Sequence, residues 1–293
     1  MEMSSECVYC VVNQMDKYYM RFVGDEKRRM PFLRRVCAAI GESDNETLAP
    51  LLNGELLKLV AREAGKDDLF EEEKHEYNQS ILRMENSITA HINTADDKLY
   101  RALQYAMAGN YIDFGTSAGV SMEKLSELIE AAPGIDLGEV FERFRQDIGK
   151  ARSLAYIFDN CGEVVFDKTC ITTMKQLYPS LNITGIVRGK PAYNDVTMAD
   201  AREVGFDKLI PVISNGDDLP GTVLPRISQE ARELIENADI IISKGMGNYE
   251  SLEGCGLNIY YLLLCKCDRF MIEFDKPRLA SVFCAERAKE ATE

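Results

Sequence analysis

The chain has 293 residues, of which 46% are hydrophobic and 28% charged, and its formal net charge is −14. This composition is typical of a globular protein with a sizeable core and one or two domains. The negative charge argues against nucleic acid as a general partner, because phosphate backbones repel an acidic chain. No apolar run approaches the ~20 residues that span a bilayer, and the N-terminal stretch MEMSSECVYC has no basic segment leading into an apolar one. We therefore expect no membrane partner and a cytoplasmic location.

The nine cysteines are odd in number and scattered through the chain. In a protein expected to stay in the cytoplasm, they indicate reduced thiols rather than a disulfide framework. Cys7 and Cys10 form a CxxC motif, but zinc normally takes a second ligand pair, and neither His75 nor His91 has the spacing of one. Two interpretations of the motif stay open: small buried thiols near a helix start, or a redox or metal role.

Up to about residue 150 the chain predicts helices only. Apolar residues recur at helical spacing, caps and glycines mark the segment ends, and no segment shows convincing strand alternation. The predicted segments are 7–20, 44–65 as two short helices around Pro50 and Asn53-Gly54, 68–93 as one long amphipathic helix, 94–109 with Thr94 as cap, and two more before residue 150. We therefore expect an all-helical region over residues 1–150.

After about residue 152, short apolar runs alternate with helical pieces. The runs are SLAYIFD (153–159), NITGIVRG (182–189), KLIPVIS (208–214), ADIIISKG (238–245) and IYYLLLCK (259–266). Nearly continuous Ile, Val and Leu runs between helices predict a mostly parallel sheet that helices cover on both faces. The fold class is therefore α/β, with a doubly wound, Rossmann-like sheet over residues 151–293 that follows the helical region.

Ligands of such sheets bind outside the carboxyl ends of the strands, and the first predicted strand ends in two oxygen donors. Asp159 and Asn160 offer a carboxylate and an amide carbonyl, which are the ligands that Mg²⁺ and Mn²⁺ accept. Alternatively, one of them caps the next helix, with Glu163 near the third helical position. This stretch alone leaves both interpretations open.

The second predicted strand repeats the pattern in VRGKPAYNDVTMADA. Asn194 and Asp195 pair an amide with a carboxylate, and Arg188 and Lys190 stand just before them. Asp195 could also be a helix cap. A metal together with a phosphate explains both signs of charge, whereas a set of caps would not require the cations.

The third and fourth strand ends add glycines and a lysine. In SNGDDLPGTVL, Gly216 and Asp217 suit either a ligand-binding loop or an ordinary turn. In ADIIISKGMGNYESL, Lys244 stands at the tip of a buried run as a point charge for phosphate, and Gly245 and Asn248 follow as substrate-binding candidates. The segment lacks the third glycine of a dinucleotide fingerprint, so we do not expect a nicotinamide cofactor.

In this order, the motifs DNCGE, RGKPAYNDVTMADA, GDDLPGT and ADIIISKGMGNYESL resemble the metal-dependent damage-control phosphatases, formerly a domain-of-unknown-function family. AGNYIDFG at 108–115 resembles the preceding motif of that family, and the CxxC is similar to that of its stand-alone microbial branch. The resemblance implies a divalent metal held by Asp159, Asn160 and Asp195, and Lys244 as phosphate binder. It also implies hydrolysis of phosphate esters of small metabolites, often sugar phosphates or damaged cofactor intermediates.

Within AGNYIDFG, Asn110 and Asp113 either end a helix and form a loop or contact the substrate from a helical lid over the cleft. The expected partner is a small phosphorylated metabolite, and the oligomeric state stays open.

For the reaction itself, we favour attack by water over a phosphoaspartate. Haloacid dehalogenase-type phosphatases carry a second Asp two residues after the nucleophile, and here that position is Cys161. The metal could be Mg²⁺, Mn²⁺, Co²⁺ or Ni²⁺. Two other functions remain: an S-adenosylmethionine-dependent carboxyl methyltransferase, against which the lack of a glycine-rich loop after the first strand argues, and a non-catalytic metabolite- or metal-binding module.

Overall fold

The first strand of the chain begins at Ser153, and eight α-helices precede it in the residues that the computed structural model describes, 3–44, 47–111 and 122–286. These helices are α1 (Ser5–Phe22), α2 (Glu26–Glu42), α3 (Ala49–Ala64), α4 (Glu71–Leu82), α5 (Glu85–Asn93), α6 (Lys98–Ala108), α7 (Met122–Ala131) and α8 (Val140–Lys150). None of the helices in these ranges combines the length and apolar character of a membrane span.

The remaining chain forms one six-stranded sheet with the order β3-β2-β1-β4-β5-β6. Its strands are β1 (Ser153–Ile157), β2 (Asn182–Val187), β3 (Val212–Ser214), β4 (Ile240–Lys244), β5 (Ile259–Leu264) and β6 (Ser281–Glu286), and its helices are α9 (Glu163–Leu177), α10 (Met198–Glu203), α11 (Gln229–Glu236), α12 (Met246–Leu252) and α13 (Asp268–Phe274). Strands β1 to β5 are parallel, and β6 is an antiparallel edge that the sequence did not predict. The predicted α/β, doubly wound fold is confirmed, and its strand order reverses between β1 and β4, where such folds bind ligands.

Residues of β1 alternate between the two faces of the sheet. Leu154 and Tyr156 enter a core cluster with helices α4 to α9, whereas Ala155 and Ile157 enter a second cluster with α11 to α13. Burial of each such large apolar side chain contributes about 1.5–3 kcal/mol. Helices α4 to α8 therefore share a core with the sheet, and the predicted domain boundary at residue 150 stays a prediction. A third cluster holds α1, α2 and α3 together.

Two helix predictions in the N-terminal region are wrong. Helix α3 is continuous, because Pro50 lies in its first turn, where the missing N–H costs nothing, and Gly54 continues it. The long helix predicted over 68–93 is two helices, since α4 ends before Arg83 and α5 begins after Met84. Both halves contact α9, so the break lets each follow the surface of that helix.

Candidate active site

The loops after β1 and β2 are paired by backbone hydrogen bonds. Cys161 N–H donates to the carbonyl of Asn194 at 2.9 Å, and Val196 N–H donates to the carbonyl of Asp159 at 2.8 Å. The pairing brings Asp159 and Asn160 beside Asn194 and Asp195, at the carboxyl edge of the sheet. Neighbouring parallel strands end at one edge, so this convergence is what the sequence predicted.

The capping interpretation of these residues is wrong. Helix α9 is preceded by Gly162, whose φ of +77° favours glycine, and no side chain caps it. Helix α10 is capped by Thr197, which forms a reciprocal capping box with Asp200. The oxygens of Asp159, Asn160 and Asp195 are therefore available for other chemistry.

A cleft of about 270 Å³ lies above these loops. Its floor is formed by Asp159, Asn160 and Asp195, and Asn110 and Asn194 line it as well. Helices α1 and α3 and the loop before Asn194 provide a wall on the helical side. A larger groove of about 1010 Å³ runs beside α4 and α10, but none of the three floor residues lines it.

The floor concentrates negative charge. Burial, together with the carboxylates of Asp195 and Glu163, raises the pKa of Asp159 well above its usual value. Burial also raises the pKa of Asp195, although the Arg188 guanidinium opposes this shift. Carboxylates gathered in this way favour a bound cation, which offsets their mutual repulsion.

The orientation of Asn160 completes a set of oxygen donors. Its amide nitrogen donates to Asp159 Oδ2 and, at 3.0 Å, to Glu163 Oε2, so its carbonyl oxygen must face away from both carboxylates. Among the described residues, no three His, Cys, Asp or Glu side chains form a metal cage. The Asn160 oxygen, with the carboxylates of Asp159 and Asp195, would give an all-oxygen set that fits a hard divalent cation.

Arg188 and Asn248, both predicted to bind substrate, lie buried beneath the floor. Arg188 is 1% exposed, and its Nε donates to Asp195 Oδ2 at 2.6 Å. Its remaining donors reach the Gly221 carbonyl, Thr222 and Asn248 Oδ1. The Asn248 amide nitrogen donates to backbone carbonyls of Phe158 and Lys244. Both side chains hold the floor in place.

Lys244, predicted to bind phosphate, is also buried beneath the floor. Its side chain is 0% exposed, and Nζ lies 2.6 Å from both Glu163 Oε1 and Asp167 Oδ1 and 2.8 Å from the Ala106 carbonyl. These three partners use all three ammonium donors. Burial opposes ionisation of Glu163, but the charge and hydrogen bond of Lys244, with the Asn160 hydrogen bond and the Lys266 charge, together lower the pKa of Glu163. Glu163 in turn accepts from Asn110, so Lys244 organises the floor from below.

The predicted loop residues Gly216 and Asp217 do not line the cleft. The Asp217 carbonyl accepts from the N–H groups of Gly189 and Lys190 at 2.8 and 3.2 Å. Gly216 packs closely on Gly189, because a Cβ added to Gly189 would lie 2.4 Å from the Gly216 carbonyl carbon. These contacts join the loops after β2 and β3.

Gly245 has a direct effect on the floor. With φ at +77°, a Cβ on this residue would lie 1.9 Å from Asp159 Oδ2, so glycine lets the carboxylate rest against the turn after β4. Of the other two predicted contacts in the helical half, Asn110 reaches the cleft, and Asp113 lies outside the described residues.

Lys266 is a cleft residue that sequence analysis did not assign to the site. It follows β5, the neighbour of β4, at the same carboxyl edge. It is half-buried, and no ion pair joins it to another described residue. Its charge acts on both Asp159 and Glu163 and favours their ionised forms. Among the described residues that line the cleft, it is the only lysine or arginine. Its position after an apolar run was the available signal.

Comparison with known proteins is informative across nearly the whole chain. Residues 3–280 match the damage-control phosphatase ARMT1-like domain. The chain is 30% identical over 298 residues to the damage-control phosphatase PH1575 of Pyrococcus horikoshii, covering 99% of this chain and 100% of that protein. It is 30% identical over 210 residues to a damage-control phosphatase of Archaeoglobus fulgidus, covering 70% and 71%.

The fold agrees with these matches. A crystal structure of the Pyrococcus protein, described as a DUF89 family protein, has a TM-score of 0.86 and 27% identity to this chain, covering 99% of this chain and 100% of that one. The chain belongs to the damage-control phosphatase ARMT1-like family. The family predicted from the ordered motifs is thus confirmed, and the relatives support the coarser prediction of a phosphatase.

Proposed function

We propose that this protein is a metal-dependent phosphatase that hydrolyses phosphomonoesters of small metabolites, either sugar phosphates or damaged phosphometabolites. Asp159, Asn160 and Asp195 would hold the divalent metal, which could be Mg²⁺, Mn²⁺, Co²⁺ or Ni²⁺. One observation carries the proposal: oxygen donors of three side chains form the floor of a cleft that, among the described residues, Lys266 also lines with its positive charge. Family membership supports the phosphatase class.

When bound, the metal would act as a Lewis acid toward a phosphate oxygen. The protein's own groups position and neutralise the substrate. Lys266 offsets the phosphate charge, which matters most where water is excluded. Asn110 donates to both Glu163 and Asp159, and Asn160 does the same, so the floor carboxylates are held in fixed orientations before the substrate arrives.

Water remains the favoured nucleophile. Asp159 Oδ2 accepts hydrogen bonds from two amide groups, which lowers its reactivity toward phosphorus. Cys161, where a second Asp would stand in a phosphoaspartate enzyme, is fully buried. Trapping a phosphoenzyme on Asp159 would overturn this choice.

A phosphatase screen tests the proposal. The protein is stripped with chelator, supplied with each of the four metals, and assayed for phosphate release from a panel of phosphometabolites. We expect release that requires metal, is unaffected by S-adenosylmethionine, and falls at least about 100-fold in Asp159→Ala while circular dichroism shows a folded protein. Saturable binding without product under every metal would favour the binding module instead, and methyl transfer would favour the methyltransferase.

A further inference from the structure

Three buried polar atoms on the walls of the cleft have no hydrogen-bond partner among the described residues. They are Asn53 Oδ1, Asn110 Oδ1 and the Tyr193 hydroxyl, and their residues all line the same cleft of about 270 Å³. Buried polar atoms are almost always paired in folded proteins, because an unpaired one loses its hydration without compensation. Ten such atoms occur among the described residues, and these three share one open cleft, where a bound ligand can supply the missing partner.

Tyr193 is half-buried, and its hydroxyl differs from those of Tyr156 and Tyr260. The hydroxyl of Tyr156 donates to Asp167 at 2.6 Å, and that of Tyr260 donates to Asp147 at the same distance. The Tyr193 backbone also has φ of +50°, a strained conformation for an aromatic residue. Its ring is held against those of Tyr18 and Phe70, with centroids 5.8 and 6.2 Å away. Strain of this kind persists where surrounding contacts impose it, often at binding sites.

Asn53 is fixed by the packing of α3. A Cβ on the neighbouring Gly54 would lie 2.5 Å from Leu219 Cδ2 and 3.6 Å from Leu219 Cα, so the Leu219 side chain packs in the space that glycine leaves. Lys58 on the same helix forms an ion pair with Asp218 at 2.8 Å. These contacts hold the Asn53 amide at the cleft before any ligand binds, which reduces the entropy lost on binding.

The chemistry of these atoms restricts what they bind. An amide oxygen only accepts hydrogen bonds, and a phosphate dianion cannot donate them. The occupant of this wall must therefore bring donors, while its phosphate lies at the floor with Lys266. We propose that Asn53 and Tyr193 form a subsite for hydroxyl groups on the organic part of the substrate, and that this subsite selects hydroxylated phosphomonoesters over ones without hydroxyls. This inference rests on the proposed phosphatase function.

The test uses Tyr193→Phe and Asn53→Leu with two substrates: the best polyol phosphate of the screen and phenyl phosphate, which has no hydroxyl. We expect kcat/KM for the polyol phosphate to fall about tenfold in each variant, since one neutral hydrogen bond is lost. Activity on phenyl phosphate should stay within about twofold. Tyr193→Phe should keep or raise the melting temperature, because the hydroxyl has no partner to lose.

Tyr100→Phe is the matched control. The Tyr100 hydroxyl, away from the cleft, donates to Asp136 and accepts from the N–H of Leu137. Its loss should lower the melting temperature and leave the ratio of the two activities unchanged. If Tyr193→Phe behaves in the same way, or affects both substrates equally, the subsite is wrong.

Failure of the phosphatase proposal itself gives a different result. Wild type would then release phosphate from neither substrate with any metal. Calorimetric titration of wild type and Tyr193→Phe with glycerol 3-phosphate, a polyol phosphate chosen independently of the screen, decides the subsite in that case. Weaker binding by the variant supports it, whereas equal binding by both proteins, or none by either, overturns it.

Discussion

The floor of the cleft and its helical wall differ in how their polar groups are paired. Beneath the floor, the polar groups of Arg188, Asn248 and Lys244 form hydrogen bonds with other groups of the protein. On the wall, Asn53 and Tyr193 keep buried polar atoms without a described partner. The comparison separates polar residues whose hydrogen bonds stabilise the site from polar residues whose atoms are available to bind a ligand, although the two groups lie close together.

Two lysines show the difference most sharply. Lys244 ends β4 and is 0% exposed between two carboxylates. Lys266 follows β5 and lines the cleft. Both come at the carboxyl ends of adjacent parallel strands. Substituting Lys244 should therefore lower stability, whereas substituting Lys266 should lower activity and leave stability unchanged.

The largest effect is expected for Lys244→Met. The substitution leaves Glu163 and Asp167 buried without their cation, and breaking a buried ion pair in this way costs about 3–5 kcal/mol. Urea denaturation should show this loss in the free energy of unfolding. Lys208→Met, at an exposed lysine, should change it by no more than about 0.5 kcal/mol. A Lys244 variant as stable as wild type would mean that the ion pairs beneath the floor contribute little.

Lys266→Met should lower activity without lowering stability. Removing a cation that faces the phosphate should lower kcat/KM about 100-fold, or about 2.7 kcal/mol of transition-state stabilisation. The free energy of unfolding should stay within about 0.5 kcal/mol of wild type, since no described carboxylate loses an ion pair. Steady-state kinetics beside urea denaturation measures both. Full activity in this variant would remove Lys266 from the site.

The sequence predicted the oxygen-bearing side chains that line the cleft but not the lysine that accompanies them. Asp159 and Asn160 could be paired with Asn194 and Asp195 in advance, because neighbouring parallel strands end at one edge. Lys244 lies beneath the floor because it is still inside β4, where its side chain points to one face and meets Asp167 on α9. Lys266 lies two residues beyond the end of β5 and is free of that alternation.

The helical wall was harder to predict. Asn53 and Tyr193 acquire their positions from contacts between segments far apart in the chain, such as Tyr193 with Phe70. The residues themselves carry no motif for this role. Asn53 was instead taken as a break between two helices, because Asn and Gly together usually mark a turn. Only the close approach of α3 to residues 218–220 explains why glycine stands inside that helix.

The smallest predicted effect tests this approach of the wall to the loop. In Gly54→Ala, the added methyl group meets Leu219, and overpacking of this kind costs about 1–3 kcal/mol. Alanine also favours a helix over glycine by about 1 kcal/mol, so the net loss should be about 0–2 kcal/mol. Gly41→Ala is the matched control, because Gly41 lies in α2 with nothing within 4 Å of an added Cβ, and it should gain about 0.5–1 kcal/mol. If both variants gain stability equally, α3 has room to move, and Asn53 is not held in advance of binding.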